Sequence, residues 1–262
     1  MNPNPPDLRT LISTSLFIDA HAHCDGYPPG RREEFSRSIE DEKVLILSAG
    51  SDPSSTKKTF ELADLCPWII PCAGIHPWKA GEYGPDDADA LEDCFRRAVM
   101  INETGLDREW APPEATLEKQ RRLFEAQLAA AVRLNKPLTL HTKGAEQEVL
   151  DLLIRYDPPA VLIHWYDGPP HILSSLLDRG CLFTAPPAVL NAPACREMIR
   201  RIPAGRLLAE TDNPTAWPWL FGAEGTPCQI REVYRAVASL RGISLPELHA
   251  LFRKNLTEFL GL

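Results

Sequence analysis

The feature that most constrains the fold is a regular alternation of short apolar segments with amphipathic ones along the chain. The apolar segments have the composition of buried β-strands, and those between them have helical spacing, as in the stretch from about Leu117 to Leu134. We predict eight strands, at Leu16–Ala20, Lys43–Ser48, Ile69–Ile75, Ala98–Glu103, Pro137–His141, Ala160–His164, Cys181–Thr184 and Leu207–Glu210. Buried strands that alternate with helices predict βαβ units and a parallel sheet.

The number of units favours one particular α/β architecture. Eight units in 262 residues fit a (β/α)₈ TIM barrel better than an open doubly wound sheet. No Gly-x-Gly-x-x-Gly pattern follows the first strand, which weakens a dinucleotide-binding interpretation. Since we find no internal repeat and no linker, we predict a single domain over residues 1–262, in which residues 1–14 form an N-terminal arm.

Composition excludes several classes of protein. No apolar run approaches the roughly 18 residues of a membrane span, and the first residues lack the features of a signal peptide. The seven cysteines include no Cys-x-x-Cys pair and predict reduced thiols in a cytoplasmic protein. A formal net charge of −8 gives no general attraction to nucleic acid or membranes, so a polyanionic substrate would need a local cationic site such as metal ions.

Polar residues of the kind that bind metals collect where the predicted strands end. Five of the seven histidines lie there, namely His21, His23, His76, His141 and His164. Glu103 closes the fourth strand, and Glu210 and Asp212 lie at the end of the eighth. Each residue alone has an ordinary interpretation, such as a hydrogen-bonded histidine or a helix cap. Because TIM barrels build their active sites at the carboxyl ends of the strands, the joint pattern favours a metal site.

Imidazole and carboxylate ligands suit Zn²⁺, Mg²⁺ or Mn²⁺ without choosing among them. Six potential ligands exceed the needs of one tetrahedral ion, so we predict two divalent ions bridged by Glu103. The first ion would be completed by His21, His23 and Asp212, and the second by His141 and His164. Such a pair activates water for hydrolysis of a phosphodiester or an amide, with Asp212 as general base. Asp19 and Glu210 are predicted to support the ligands from behind.

These residues stand in motifs that resemble those of the TatD-type metal-dependent deoxyribonucleases, within the amidohydrolase-like TIM-barrel superfamily. The motifs are Asp19-Ala20-His21-Ala22-His23, Ala73-Gly74-Ile75-His76-Pro77, Glu103-Thr104-Gly105-Leu106-Asp107, Pro137-Leu138-Thr139-Leu140-His141-Thr142-Lys143 and Glu210-Thr211-Asp212-Asn213-Pro214. The resemblance covers nearly the whole chain in the right order. It implies a dinuclear site with the ligands above, a nuclease or phosphodiesterase activity, and a position for His76 near the substrate phosphate.

Departures from the family pattern leave the substrate open. Lys143, a predicted substrate contact, stands where the family commonly has arginine, and it keeps the charge but loses the bidentate fork that suits phosphate. Cys24 stands where the family usually has leucine, and the loop after the eighth strand has tryptophans and no basic residue. Tryptophans of the rim loops, Trp165 among them, would either stack the bases of single-stranded DNA or wall a pocket for a small phosphodiester or amide. The alternative activity is therefore a small-molecule amidohydrolase or phosphoesterase on the same metal core. A third hypothesis is a barrel that binds metal or ligand without catalysis.

Overall fold

The computed structural model describes residues 7–262, and within that range the chain forms eight strands and twelve α-helices. The strands are β1 (Phe17–Ala22), β2 (Val44–Ala49), β3 (Ile69–Cys72), β4 (Ile101–Asp107), β5 (Leu138–Lys143), β6 (Val161–Ile163), β7 (Leu182–Ala185) and β8 (Leu207–Ala209). The helices are α1 (Leu8–Thr14), α2 (Arg32–Asp41), α3 (Pro53–Leu65), α4 (Pro85–Ala90), α5 (Glu92–Arg97), α6 (Leu117–Leu134), α7 (Glu146–Tyr156), α8 (Pro170–Asp178), α9 (Pro193–Arg201), α10 (Ala216–Phe221), α11 (Ile230–Arg241) and α12 (Leu245–Phe259). All eight predicted strands are present.

The described residues fall into two compact units. The first unit comprises residues 7–48, Thr59–Ile70 and Thr184–Leu262, and the second comprises Ala49–Lys58 and Pro71–Phe183. In the first unit β1 pairs with β2 in parallel, and the segment after β8 bonds to the end of β1. In the second unit β5 pairs in parallel with β4 on one side and with β6 on the other, and β6 pairs in parallel with the first two residues of β7.

The strands are buried on both faces, as expected for parallel strands covered by helices. Every residue of β2, β4 and β5 is buried, including the polar ones. Helix α6 has the predicted bounds because Thr116 caps its first turn and Asn135, at φ 51°, ends it in the left-handed conformation. Helix α12 begins at a capping box between Ser244 and Glu247.

The segment predicted as an N-terminal arm is partly helical. Residues 1–6 lie outside the described residues, whereas residues 8–14 form α1. Asp7 caps this helix by accepting a hydrogen bond from the backbone N–H of Thr10 at 2.9 Å. Leu11 and Ile12 are buried, so α1 packs against the fold instead of extending from it.

Five strands end later than predicted, and the other three, β3, β6 and β8, end one to three residues earlier. Among the longer ones, β1, β4 and β5 extend by two to four residues, and this changes where the polar residues lie. His21 lies within β1, Glu103 is the third residue of β4, and His141 lies within β5. The prediction ended these strands at or just before His21, Glu103 and His141, whereas the strands continue because those side chains are buried. No helix of the described residues is long and apolar enough to span a membrane.

Candidate metal centre

In the first unit, two histidines of the first motif converge on one carboxylate. His21 Nε2 lies 3.7 Å and His23 Nε2 lies 3.3 Å from the same oxygen, Asp212 Oδ1. The side chain of His21 is fully buried, while those of His23 and Asp212 are 18% and 21% exposed. The cluster is therefore fixed on one side and open to solvent on the other.

Backbone hydrogen bonds hold this cluster together. The N–H of Asp212 donates to the carbonyl of His21 at 2.9 Å, and the N–H of His23 donates to the carbonyl of Asn213 at 2.7 Å. Asp212 has φ 51°, a left-handed conformation that a non-glycine residue adopts only where its surroundings enforce it. The strand end and the loop after β8 thus aim the three side chains at one point.

Asp19 and Glu210, which the sequence predicted to support the ligands, are both fully buried in this unit, and their supporting role stays a prediction. Asp19 is fully buried and accepts hydrogen bonds from the backbone N–H groups of His21 (3.3 Å) and Thr211 (3.0 Å) and from the Thr211 hydroxyl (2.5 Å). The pKa of Asp19 is raised to about 7, mainly because the carboxyl is buried and in part because of the charge of the buried Glu210. The hydrogen bonds to Asp19 act in the opposite direction and lower its pKa, but they do not outweigh burial. Asp19 therefore contacts the backbone of His21.

In the second unit, Glu103 lies among three histidines. Glu103 Oε1 is 3.5 Å from His76 Nε2 and 3.8 Å from His164 Nε2, and Glu103 Oε2 accepts a hydrogen bond from the Ser51 hydroxyl at 3.2 Å. His141 Nδ1 lies 3.2 Å from His164 Nε2. The side chains of Glu103 and of the three histidines are all buried. Glu103 also has a left-handed backbone, φ 49°.

The donor set of this second cluster fits a divalent ion. His76, Glu103 and His141 each offer one ligand atom, and these atoms all lie within 4.8 Å of one another. Nitrogen and carboxylate oxygen ligands at such a spacing suit Zn²⁺, Mn²⁺ or Mg²⁺. His76 therefore lies within reach of the predicted ligands Glu103 and His141, beside which the resemblance implies that it contacts the substrate phosphate.

Asp107, which the sequence reasoning did not select as a site residue, organises this second cluster. Its Oδ2 lies 2.7 Å from His141 Nε2 and accepts a hydrogen bond from Trp78 Nε1–H at 2.6 Å. Its Oδ1 accepts hydrogen bonds from the backbone N–H groups of Glu109 (2.8 Å) and Trp110 (2.7 Å). Burial by itself raises the pKa of Asp107, but these hydrogen bonds outweigh it and lower the pKa well below its ordinary value.

An ionised Asp107 fixes the protonation of His141. A carboxylate only accepts hydrogen bonds, so the proton of neutral His141 lies on Nε2 and leaves Nδ1 with a lone pair. This is the arrangement in which a carboxylate orients a histidine ligand. One feature of the sequence did indicate Asp107, namely its position. Asp107 stands four residues after Glu103 on the same strand, and residues at that spacing lie on the same face of a strand.

Two glutamines of α6 hold the segments that carry these residues. The amide of Gln127 bonds to the backbone N–H (2.8 Å) and C=O (3.0 Å) of Ile75 and to the hydroxyl of Thr104 (2.7 Å). The amide of Gln120 bonds to the backbone N–H (2.7 Å) and C=O (2.9 Å) of Asp107. Both glutamines are buried, so this helix sets the backbone positions next to His76 and at Asp107.

The predicted phosphate-binding lysine is already engaged in an ion pair. Lys143 Nζ lies 2.8 Å from Asp167 Oδ1 and donates a hydrogen bond to the carbonyl of Trp165 at 2.7 Å. The Lys143 side chain is 10% exposed, whereas that of Asp167 is 60% exposed. The predicted substrate contacts Lys143 and Trp165 are therefore adjacent, and the ammonium is partly neutralised.

Cys24 belongs to the hydrophobic packing of the first unit. Its backbone N–H donates to the Ser48 hydroxyl at 3.3 Å, and its side chain lines a small cavity with Tyr27 and Phe35. Burial raises the pKa of the Cys24 thiol far above its ordinary value, so the thiol is neutral.

Comparisons with known proteins agree on one family. A family model described as "TatD related DNase" matches residues 18–261. The chain is 31% identical to the "3'-5' ssDNA/RNA exonuclease TatD" of Pantoea ananatis, covering 88% of this chain and 94% of that protein. It is 26% identical to the "Uncharacterized metal-dependent hydrolase YabD" of Bacillus subtilis, covering 92% and 97%.

A solved structure shares the fold. The TatD homologue YJJV of Escherichia coli K12 superposes with a TM-score of 0.85 at 22% identity, covering 94% of this chain and 98% of that one. This likeness confirms the predicted fold class, an α/β fold of the (β/α)₈ TIM-barrel type.

Proposed function

Because the chain belongs to the TatD-related DNase family, we propose that it is a divalent-metal-dependent nuclease that hydrolyses phosphodiester bonds of single-stranded nucleic acid. The observation that carries this proposal is the pair of clusters described above, one in each unit, in which imidazoles lie close to a carboxylate. The name of the Pantoea relative supports a single-stranded DNA or RNA substrate. The seven free cysteines favour action in the reducing cytoplasm, and we propose that residues 1–262 act as one hydrolase domain.

We propose two metal ions, with the ligands predicted from the sequence. His21, His23 and Asp212 hold one ion, and Glu103, His141 and His164 hold the other. His76 Nε2 lies 3.5 Å from Glu103 Oε1, and we assign His76 to the substrate phosphate beside that cluster. Divalent ions bound there supply a lowered pKa for a bound water and neutralise charge on phosphoryl oxygens.

Asp212 is the proposed general base. Its carboxylate is 21% exposed, so water reaches it, while its backbone is held by the bond to His21. As the water oxygen bonds to phosphorus, Asp212 accepts its proton, and the bond from phosphorus to the leaving oxygen breaks. Lys143 contributes to phosphate binding when its ammonium exchanges Asp167 for the substrate.

A second candidate function is hydrolysis of a small phosphoester or amide on the same metal core. The observation that favours it is the ion pair of Lys143 with Asp167, together with the formal net charge of −8, because both weaken attraction to a polyanion.

One experiment separates the two candidates. The purified protein, loaded with Mg²⁺, Mn²⁺ or Zn²⁺, is incubated with a single-stranded oligonucleotide, with bis(4-nitrophenyl) phosphate and with a panel of amides. Asp212→Asn is expected to lower oligonucleotide cleavage at least about 100-fold. The matched control is Asp157→Asn, which makes the same change on a carboxylate whose side chain is 85% exposed.

Metal analysis accompanies the assay. About two ions per chain are expected, and replacing both His21 and His23 by alanine should remove about one. An oligonucleotide that stays intact with every metal, while a small diester or amide is cleaved, would favour the second candidate. Fewer than one ion per chain, unchanged in the double variant, would refute the proposed ligand set.

A further inference from the structure

We propose that Trp78 is a base-stacking platform beside the second cluster, so that the site binds nucleotides by their bases as well as by their phosphates. The proposal rests on the proposed nuclease function and names the part of the substrate that this indole recognises.

The first observation is the position of the indole. The Trp78 ring meets the ring of His76 edge to face, with centroids 5.0 Å apart, and lies 6.3 Å from the ring of His141. Trp78 nevertheless remains 43% exposed. A large aromatic surface therefore faces solvent within one ring contact of the residue assigned to the substrate phosphate.

The second observation is that the exposed ring is held in place. Trp78 Nε1–H donates to the buried Asp107 carboxylate at 2.6 Å, and the Trp78 backbone N–H donates to His76 Nδ1 at 3.1 Å. The indole and the backbone of Trp78 are thus both held in place before any ligand binds. A rigid ring loses little rotamer entropy on binding, so more of the stacking free energy appears as affinity.

The third observation is the charge balance. The formal net charge is −8, and Lys143 is already paired with Asp167. Counterion release from phosphates therefore supplies little of the binding free energy here. Stacking on an aromatic ring needs no positive charge and accepts any base, because every base has a π-face.

Trp110 provides the matched comparison. It is 60% exposed, more than Trp78, but in the part of the chain that the structure describes its indole N–H makes no hydrogen bond. It has the same ring chemistry and lies in the same unit. The Trp110→Leu variant therefore tests whether an exposed indole without a hydrogen-bonded N–H contributes to binding in the same protein.

The experiment measures binding without cleavage. Metal-free protein, prepared with EDTA, is titrated into a 5'-labelled single-stranded decamer and into a decamer with the same phosphates but abasic residues, and anisotropy gives each Kd. The proteins are wild type, Trp78→Leu, Trp78→Phe and Trp110→Leu. Unfolding midpoints are measured for all four to verify that each is folded.

Trp78→Leu is expected to raise the Kd for the base-containing strand by about 5- to 150-fold, the loss of one stacked base. It should leave the Kd for the abasic strand nearly unchanged, so that the preference of the protein for bases disappears. Trp78→Phe, which keeps a ring but loses the bond to Asp107, should recover much of the affinity. Trp110→Leu should stay within about twofold of wild type.

The proposal is overturned if Trp78→Leu and Trp110→Leu change the Kd equally, or if wild type binds the abasic strand as tightly as the base-containing one. A loss that Trp78→Phe does not recover, and that is equal for both strands, would assign Trp78 a structural role instead. Since no cleavage is needed, these results are independent of whether the metal-loaded protein hydrolyses the oligonucleotide.

Discussion

Replacing Asp107 by asparagine is expected to weaken divalent-metal binding by about 10- to 100-fold while the fold is retained. Asparagine has the same shape, and its amide oxygen can keep the two hydrogen bonds from the backbone of Glu109 and Trp110. Its NH₂ group would replace Oδ2, the atom that lies 2.7 Å from His141 Nε2 and 2.6 Å from Trp78 Nε1.

The amide donates where the carboxylate accepts, and this reverses the preferred tautomer of His141. The proton of His141 moves from Nε2 to Nδ1, because Nε2 then accepts from the new NH₂ group. Nδ1 lies 3.2 Å from His164 Nε2 and is the atom left to bind an ion. Returning the proton to Nε2 before metal binds breaks the new hydrogen bond, and the expected 10- to 100-fold loss corresponds to about 1.4–2.7 kcal/mol.

The assay is a competition titration of metal-free protein with Zn²⁺ or Mn²⁺ against a chromogenic chelator. Asp107→Asn is compared with wild type and with Asp157→Asn, and urea unfolding verifies the fold of each. An Asp107→Asn protein that is folded and binds metal within twofold of wild type would refute the assignment of the tautomer to Asp107.

Three further predictions follow from the same structure. The raised pKa of Asp19, about 7, means that the native state holds a proton that the unfolded chain loses above about pH 4. In metal-free protein the free energy of unfolding should therefore fall between about pH 4 and 7, by about 4 kcal/mol, and Asp19→Asn should remove this slope in urea titrations. Gly105 has φ 139°, and a Cβ there would lie 2.0 Å from a carbonyl oxygen of the next strand, so Gly105→Ala should destabilise by about 4 kcal/mol or more. Gly30→Ala, with open space at the Cβ position, should differ from wild type by less than about 0.5 kcal/mol in the same unfolding assay. Asp167→Asn should release Lys143 and tighten oligonucleotide binding about two- to fivefold, measured by anisotropy at low salt, and an unchanged Kd would indicate that Lys143 does not contact phosphate.

The existence of the eight strands and the titratable residues near their ends were predictable because each depends on a short stretch of sequence. A buried parallel strand needs a continuous apolar run, and a titratable residue at the end of such a run stands out, as His164 does after β6. The same rule ended β1, β4 and β5 too early, because it placed the strand ends at or just before His21, Glu103 and His141. At this site those titratable side chains are themselves buried, so the strands continue past them. Their burial depends on the tertiary structure and is not visible in the local sequence.

Asp19 and Glu210 were predicted as supporting acids, but the contact of Asp107 with His141 was not predicted from the sequence. Asp107 lies within a quoted motif, but its role depends on Trp78, 29 positions earlier, and His141, 34 positions later. Neither spacing carries a period of strand or helix. The ion pair of Lys143 with Asp167 likewise depends on how two loops fold, and the sequence alone suggested a free phosphate-binding cation.

The two buried glutamines of α6 fix the distance between two backbone segments of the second unit. Gln120 and Gln127 are seven residues apart, which is close to two turns and about 10.5 Å along the axis, so both amides face the same side. The amide of Gln127 holds the backbone of Ile75, next to His76, and the amide of Gln120 holds the backbone of Asp107, at the end of β4. A single residue inserted between the two glutamines would rotate one amide by about 100°, so that the two amides would no longer face the same side.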